Sequence, residues 1–503
     1  MRRSRCLTEA MAESTDNVNR QAKKGIRVLL VREGFLLVLT FAGGIVLARV
    51  LDPADFGLFG ITTFLVKLLA QFSDCGLAPS LIQRNETPSD RDLQVGFTLQ
   101  QILVTLVVVA LWFAAPWLAG FYPKAPDGLI WLVRVLAFNL YLGTWRSISV
   151  LQLERRLHYK PLAVVSVVET VSYQVVAVGM AVLGFGVWSL IAAVLLQGVL
   201  GTVLIYSAAP WRIRFAFDRT IAATMLRFGL PYQLQSTLGN MKGWVAPTLV
   251  ASLIGPDALG FLTWGSSNGR KPMRLFQNVI RVSFPHFARL QGDQDEVERL
   301  LSKYQVYFLT VAGWWFSVLA IAGYDLTHWI YTEKWLPAVP VLILSGVLLG
   351  LNAVSWSTKS ALNGLGRVHL TMRVTLVATV LSNVLGAILI FVIGFIGVPV
   401  GLVIALLVTL PWLYRGLRPG ALHRVLRPTA WIILPVVASM AVGFGAQMLP
   451  VSLAVRALST AGVVTLAYLG IAWLAAPAWL KQSALTKLSR LTEKVNRLKQ
   501  PAL

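Results

Sequence analysis

From about Val28 to Ala476 the chain is a succession of long apolar stretches parted by short polar breaks. A helix needs about 20 apolar residues to cross a hydrocarbon core roughly 30 Å thick, and many of these stretches reach that length. Only 13% of the 503 residues are charged and 56% are hydrophobic, with a mean hydropathy of +0.68. A soluble domain carries about 25% charged residues, so lipid must be the solvent for most of this chain. A transmembrane barrel would alternate apolar and polar residues with a period of two. The runs Leu103–Trp112, Leu376–Ile393 and Val400–Leu413 do not. The sequence therefore predicts an all-α integral membrane protein.

The runs predict about fourteen transmembrane helices, over 28–50, 57–77, 94–119, 129–150, 162–183, 188–209, 226–254, 258–281, 303–323, 340–362, 369–393, 396–414, 429–448 and 456–476. The fourth, seventh, eighth and tenth contain charge. Residues 1–27 read as a cytosolic basic tail, 28–209 as an N-lobe of helices 1–6, and 210–225 as a cytosolic linker. Residues 226–414 read as a C-lobe of helices 7–12, 429–476 as helices 13–14, and 477–503 as a basic amphipathic tail lying on the inner leaflet. Residues 7–21 are mostly polar, so the basic N-terminus lacks the apolar core of a cleavable signal, and Met11 offers an alternative start.

Orientation follows from charge. Breaks on one side hold Arg155, Arg156 and Lys160, then Arg212, Arg214 and Arg219, then Arg415, Arg418, Arg424 and Arg427, and both tails are basic. The other side shows little beyond Lys124, Lys334 and the edge residues Arg49 and Arg456. Short loops rich in Lys and Arg stay in the cytoplasm, which places both termini on the cytoplasmic side. The net charge of +23 is then a topology signal with an attraction to anionic lipids, not a nucleic-acid surface.

The chain also repeats. Leu51-Asp52-Pro53-Ala54-Asp55-Phe56-Gly57 follows the first helix, and Ile254-Gly255-Pro256-Asp257-Ala258-Leu259-Gly260 follows the seventh. Proline stops one helix and glycine eases entry to the next. Such turns are common, but ten residues beyond the glycines stand Lys67 and Arg270, each about 15 Å into its helix. Two pseudo-symmetric six-helix lobes plus two C-terminal helices account for both features. Six being even, the lobes enter the membrane in the same direction, with their axis along the membrane normal.

Charge at bilayer depth is costly and persists where it faces a cavity. Thr63, Lys67, Gln71 and Asp74 share one helix face, as do Arg270, Arg274 and Arg281, with Lys271 beside them. Arg32 and Glu33 lie in the first helix, and Gln233, Ser236, Asn240 and Lys242 in the seventh. One reading is a water-filled cationic cleft for a phosphate or pyrophosphate head, with Lys67, Arg270, Arg274, Lys242 and Arg32 as substrate-binding residues. The other is snorkelling to the interface, which suits Arg32, Arg49 and Arg281 near helix ends. Glu33, Asp74 and Glu169 either bind a coupling cation or balance neighbouring Arg and Lys.

Catalytic signals are poor. The five histidines show no metal-ligand spacing, Cys6 and Cys75 lie far apart, and no GxxxxGK[ST] loop occurs. Asp293-Gln294-Asp295 looks like the DxD of a nucleotide-sugar transferase, yet its loop is too short for a nucleotide-binding domain. A solvated helix with Asp295/Arg299-type pairs is the plainer reading. No enzyme, cofactor or metal is expected.

Leu51–Leu58, then Asp74-Cys75-Gly76-Leu77 and Ile82-Gln83-Arg84, resemble the opening of Wzx-type polysaccharide flippases. Phe284-Pro285, Arg289-Leu290-Gln291, Glu333-Lys334-Trp335 and Gly364-Leu365-Gly366-Arg367 continue the resemblance, which is closest to the lipopolysaccharide and exopolysaccharide exporter branch of the MOP superfamily. It implies two lobes in alternating access. The cargo it implies is an undecaprenyl-pyrophosphate-linked oligosaccharide moved from the cytoplasmic to the periplasmic leaflet, with contacts to polysaccharide polymerase machinery. It also implies an outer groove for the lipid tail at helices thirteen and fourteen. Two rivals remain: a MATE-like cation-coupled small-molecule antiporter, whose cleft should be acidic or apolar, and a membrane glycan polymerase or ligase, which needs a large outer loop.

Overall fold

A computed structural model describes residues 34–74, 89–126, 128–155, 159–227, 233, 245–290 and 292–482. They form helices joined by turns and short extended links. In chain order these are α1 (Gly34–Val50), α2 (Pro53–Asp74), α3 (Asp90–Gly120), α4 (Leu129–Ala137), α5 (Asn139–Arg155), α6 (Tyr159–Val182) and α7 (Val187–Ala208). After α8 (219–227) follow α9 (Val245–Leu253), α10 (Pro256–Gly269), α11 (Met273–Arg289), α12 (Gln294–Tyr331), α13 (Val339–Gly364), α14 (Val368–Ile393) and α15 (Gly397–Tyr414). The chain closes with α16 (Ala421–Leu426), α17 (Ile433–Gln447) and α18 (Leu453–Ala475). Among the described residues nine helical segments are long and apolar enough to cross a membrane. Their outward side chains include Phe113, Phe391 and Leu474, each more than three-quarters exposed. Such surface is stable only against hydrocarbon.

Capping residues set where helices begin. Ser89 and Asp92 form a reciprocal capping box at α3: the Ser89 Oγ accepts from the Asp92 N–H at 3.1 Å, and the Asp92 carboxylate accepts from the Ser89 N–H at 2.9 Å. Asp293 caps α12 by accepting from the Glu296 N–H at 3.0 Å. That helix has 38 residues, about 57 Å, so much of it stands outside a core roughly 30 Å thick. Asp293-Gln294-Asp295 is therefore a helix start. Asp295 pairs with Arg418, not with Arg299, which instead meets Glu296 at 3.4 Å.

Two expected spans are interrupted. Span 129–150 is realised as α4 and α5, joined at Phe138, and span 258–281 as α10 and α11, joined through Arg270-Lys271-Pro272. Pro272 lacks the N–H that would donate to the preceding turn, and its ring crowds that turn.

The helices group into two compact units, residues 1–260 and 261–503. In the first unit the repeated turns pack on each other. A Cβ built on Gly57 would fall 1.8 Å from the Pro256 carbonyl oxygen, and one on Gly260 would fall 2.0 Å from the Pro53 carbonyl oxygen. The contact is reciprocal: proline backbone of each turn lies on the glycine of the other. Both glycines have ordinary negative φ, so they serve close approach and not an unusual turn, which is a correction to the expectation from sequence. Gly255, at φ +127°, is the residue that the turn itself requires to be glycine.

In the second unit α12 is the central post. Gln305, fully buried, donates to the Tyr414 hydroxyl at 2.8 Å and the Thr358 hydroxyl at 3.1 Å, tying α12 to α15 and α13. The last helix is tied to α12 by a two-pronged pair, Arg456 to the buried Asp325, both bonds 2.9 Å. Tyr468 adds a bond to the Thr310 carbonyl at 2.8 Å. Toward the basic loops Arg424 grips the buried Glu298 at 2.8 and 3.0 Å.

Gly57→Val should lower the unfolding temperature of the detergent-purified protein by several degrees, since overpacking against backbone costs about 1–3 kcal/mol. Gly44→Ala, with nothing within 4 Å, should leave it unchanged. The hydrogen bond from Arg418 holds the Asp295 carboxyl below its usual range. A depressed carboxylate stabilises above its unfolded pKa and loses that contribution as pH falls through the folded value. Asp295→Asn should therefore differ from wild type at neutral pH and converge with it in strong acid, measured by thermal unfolding across pH.

Candidate functional site

The polar face of α2 is the first group of candidate residues. Lys67 is exposed, and among the described residues no carboxylate pairs with it. One turn on, the Gln71 Oε1 accepts from the Gln233 Nε2 at 3.0 Å. That bond joins two of the polar positions expected from sequence. Thr63, one turn before Lys67, has a buried hydroxyl with no partner among the described residues. Asp74 ends the helix.

Arg270 stands in the break between α10 and α11. Its Nε donates to the Ser266 carbonyl at 3.0 Å. The Met273 N–H, which a continuous helix would direct to Gly269, turns instead to the Arg270 carbonyl at 3.0 Å. The Gly269 carbonyl is freed, and the Trp315 indole N–H takes it at 2.8 Å. Backbone opened in a buried, apolar setting must be answered by protein in this way. Gly265 and Gly269 let α10 lie against α13: a Cβ on Gly269 would come within 2.5 Å of the Leu342 carbonyl oxygen and of Ser345. Arg270 and Arg274 therefore do not share one unbroken helical stripe, because Pro272 interrupts it; Arg274 lies in the first turn of α11. Arg32, Glu33 and Lys242 lie outside the described residues.

Glu169, on α6, meets a cation that sequence reading passed over. It forms an ion pair with Arg146 of α5. The pair borders a cavity of about 410 Å³ lined by Gln100, Gly143, Arg146, Ser147, Leu162 and Glu169, among others. A signal for it exists in the sequence: Arg146 and Glu169 stand almost equally far from the break at 156–158, so antiparallel neighbours bring them level. Arg134 was also passed over. Its guanidinium lies 4.9 Å from the Trp112 ring centre and 5.1 Å from that of Trp131, a cation held by aromatic faces. In the second unit a separate apolar cavity of about 350 Å³ opens between α12, α13 and α17, floored by Gly313, Gly346 and Gly350. Among the described residues no group of three His, Cys, Asp or Glu could hold a metal ion.

A family described as "Polysaccharide biosynthesis protein" matches residues 46–340. The teichuronic acid biosynthesis protein TuaB of Bacillus subtilis is 28% identical over 59% of this chain and 62% of its own length. The succinoglycan biosynthesis transport protein ExoT of Rhizobium meliloti is 25% identical over 64% and 65%. The lipopolysaccharide biosynthesis protein WzxC of Escherichia coli is 26% identical over 65% and 67%. The chain thus spans a little under two thirds of the first two of these curated relatives. Among solved structures, the lipid II flippase MurJ in an inward closed conformation superposes with a TM-score of 0.72 at 13% identity, over 88% of this chain and 97% of that one. An inward-facing MATE family multidrug transporter of the MOP superfamily gives 0.56 at 18% identity, over 78% and 96%. At such identities the two structures establish the fold alone, an all-α membrane fold.

Trp315→Phe should destabilise the purified protein by about 1–3 kcal/mol, the cost of an unanswered buried carbonyl. In a Pro272→Ala background, where Met273 can again donate to Gly269, the same substitution should cost clearly less. Thermal unfolding of the four proteins in this double-mutant cycle reads the difference.

Proposed function

This chain belongs to the polysaccharide biosynthesis protein family, and from that premise we propose that it flips a polyprenyl-pyrophosphate-linked oligosaccharide across a bacterial inner membrane. What supports the reading is two cations that their spacing from the repeated turns sets about 15 Å into the expected spans: Lys67, exposed on α2 without a carboxylate partner among the described residues, and Arg270, seated in a helix break. A structural helix has no use for charge there, at several kcal/mol each. A doubly ionised pyrophosphate does. Lysine offers it a point charge and arginine a planar fork.

The mechanism is a lowering of transfer cost. The sugars and pyrophosphate would have to shed water to cross hydrocarbon; an alternating pathway lets them cross hydrated, with their charge answered by Lys67, Arg270 and Arg274, joined by Lys242 and Arg32. The polyprenyl tail stays apolar throughout. The glycine-floored cavity between α12, α13 and α17 suits such a chain, because its lining is almost wholly aliphatic. Cargo enters from the cytoplasmic leaflet and leaves in the periplasmic one. Both termini are cytoplasmic, as the Arg- and Lys-rich breaks support. Those basic loops also attract anionic lipid headgroups, and delivery to a polymerase would follow release.

The MATE-like fold supports a second reading, cation-coupled export of small molecules. That reading needs acidic groups in the pathway. Among those expected, Glu169 is already held by Arg146, which favours the anionic cargo.

Lys67→Ala/Arg270→Ala, expressed at normal level in a strain lacking its own copy, should cut surface polysaccharide at least tenfold, read by quantitative blotting. Full export by that double variant overturns the assignment. Drug resistance conferred by the wild-type protein, with no effect on polysaccharide, would favour the antiporter.

A further inference from the structure

We propose that Arg146 is a further anion-binding residue on the cargo's route, that Glu169 occupies it while no cargo is present, and that an incoming phosphate displaces the carboxylate. The proposal rests on the flippase reading, because it takes the cargo's anionic head as the displacing ligand.

Depth is the first argument. Arg146 lies nine residues from the basic-loop end of α5 and Glu169 ten from that of α6. At 1.5 Å per residue both stand about 14 Å in from those helix ends, level with each other and well inside their helices. An ion pair kept only for stability has little to recommend it at that depth. Desolvation offsets most of the attraction, and apolar residues of similar volume hold helices together as well or better.

The shape of the pair points the same way. Glu169 is set back, its side chain 15% exposed, while Arg146 is 36% exposed toward the cavity. Gly201 of α7 makes the recess: a Cβ there would fall 1.8 Å from the Glu169 Oε1 and 2.8 Å from an Arg146 terminal nitrogen. The contact is single, one guanidinium N–H to one carboxylate oxygen. A guanidinium has five N–H donors in a planar fork. Among the described residues Arg146 uses one, and it lines a cavity of about 410 Å³.

Polar groups flank that open face. The Ser147 hydroxyl, bonded to the Gln100 Oε1 at 2.7 Å, belongs to the same wall. Compare the bonds elsewhere. Arg424–Glu298 and Arg456–Asp325 are both two-pronged with a buried carboxylate, the geometry of a fixed tie. Arg146–Glu169 lacks the second prong. A phosphate oxygen pair fits the vacant edge of the fork, and its greater charge competes with a monodentate carboxylate. Between cargoes Glu169 keeps the arginine neutralised, so an empty protein does not carry a bare charge through its cycle.

The test is the binding of inorganic pyrophosphate to the detergent-purified full chain, by titration calorimetry. Glu169→Gln removes the competitor and keeps shape and a hydrogen-bonding oxygen, so affinity should rise about tenfold; Arg146→Gln should lower it by about as much. Unchanged or weaker binding by folded Glu169→Gln overturns the proposal, since a structural tie predicts no gain. If Lys67→Ala/Arg270→Ala loses pyrophosphate while both variants of the pair bind as wild type, the flippase reading stands and this one falls. No binding by wild type or by Glu169→Gln sinks both. In the unaltered protein, carbodiimide labelling of Glu169, read by mass spectrometry, should increase when pyrophosphate is added; constant labelling alongside measured binding also overturns it.

Discussion

In hydrocarbon a backbone carbonyl without a donor costs several kcal/mol, and so does a charge without an answer. That constraint decides the architecture of this chain. It makes helices the default, because a helix answers its own backbone. It also makes each departure from a helix informative, because something else must supply the missing partner. At Pro272 the departure frees the Gly269 carbonyl, and the partner is the Trp315 indole, brought in from the long central helix of the second unit. The break is thus a stable feature with a dedicated donor. Its result is to set Arg270 on a turn, where its backbone is not confined to helical geometry and its guanidinium folds back on Ser266.

The same economy of close contact explains the repeat. Leu51–Gly57 and Ile254–Gly260 are alike in sequence because they are alike in duty: each offers a proline backbone and a bare glycine, and each receives the other's. Two copies of one turn, packed reciprocally, give a self-complementary contact in the manner of a symmetric dimer interface. Proline at the first position of α2 and of α10 costs no hydrogen bond there, since that N–H has no intrahelical partner. Asp55 answers the start of α2 by accepting from the Asp52 N–H at 3.0 Å. A short motif thus combines helix start, turn and docking face.

Much of this was legible in sequence, for a physical reason. Apolar runs of spanning length leave few alternatives, so α6, α7, α13, α14 and α15 fall within a few residues of the expected spans. The breaks were not legible to the same degree. Phe138 carries no breaker residue, and Pro272 is one proline among 23, many of which sit inside helices, as Pro116 and Pro411 do. Which proline opens a helix depends on whether a donor such as Trp315 stands ready, and that is a tertiary fact. Charges divide in the same way. Lys67 and Arg270 drew notice from their matching place in a repeat. Glu169 drew notice as a lone acid in an apolar run. Arg146 was hidden by its proximity to the basic break at 155–160, where arginine is ordinary. Only its mirror position to Glu169 across that break marked it out.

Taken together, the charged groups separate by how they are answered. Asp325 with Arg456 and Glu298 with Arg424 are closed, two-pronged and set toward the ends of helices, where they fasten α18 and α16 to α12. Arg134 is answered by aromatic faces and one carbonyl. Lys67, Arg270 and Arg146 are answered less fully: one without a carboxylate among the described residues, one bonded to backbone, one held by a single prong beside a cavity. A protein that had only to be stable would close these three as it closes the others, because the residues for doing so are common and the gain is a few kcal/mol. Leaving them open is a standing cost, and on the proposed function an anionic headgroup would recover it. The incomplete answers, more than the presence of charge as such, are what the proposed anionic cargo would complete.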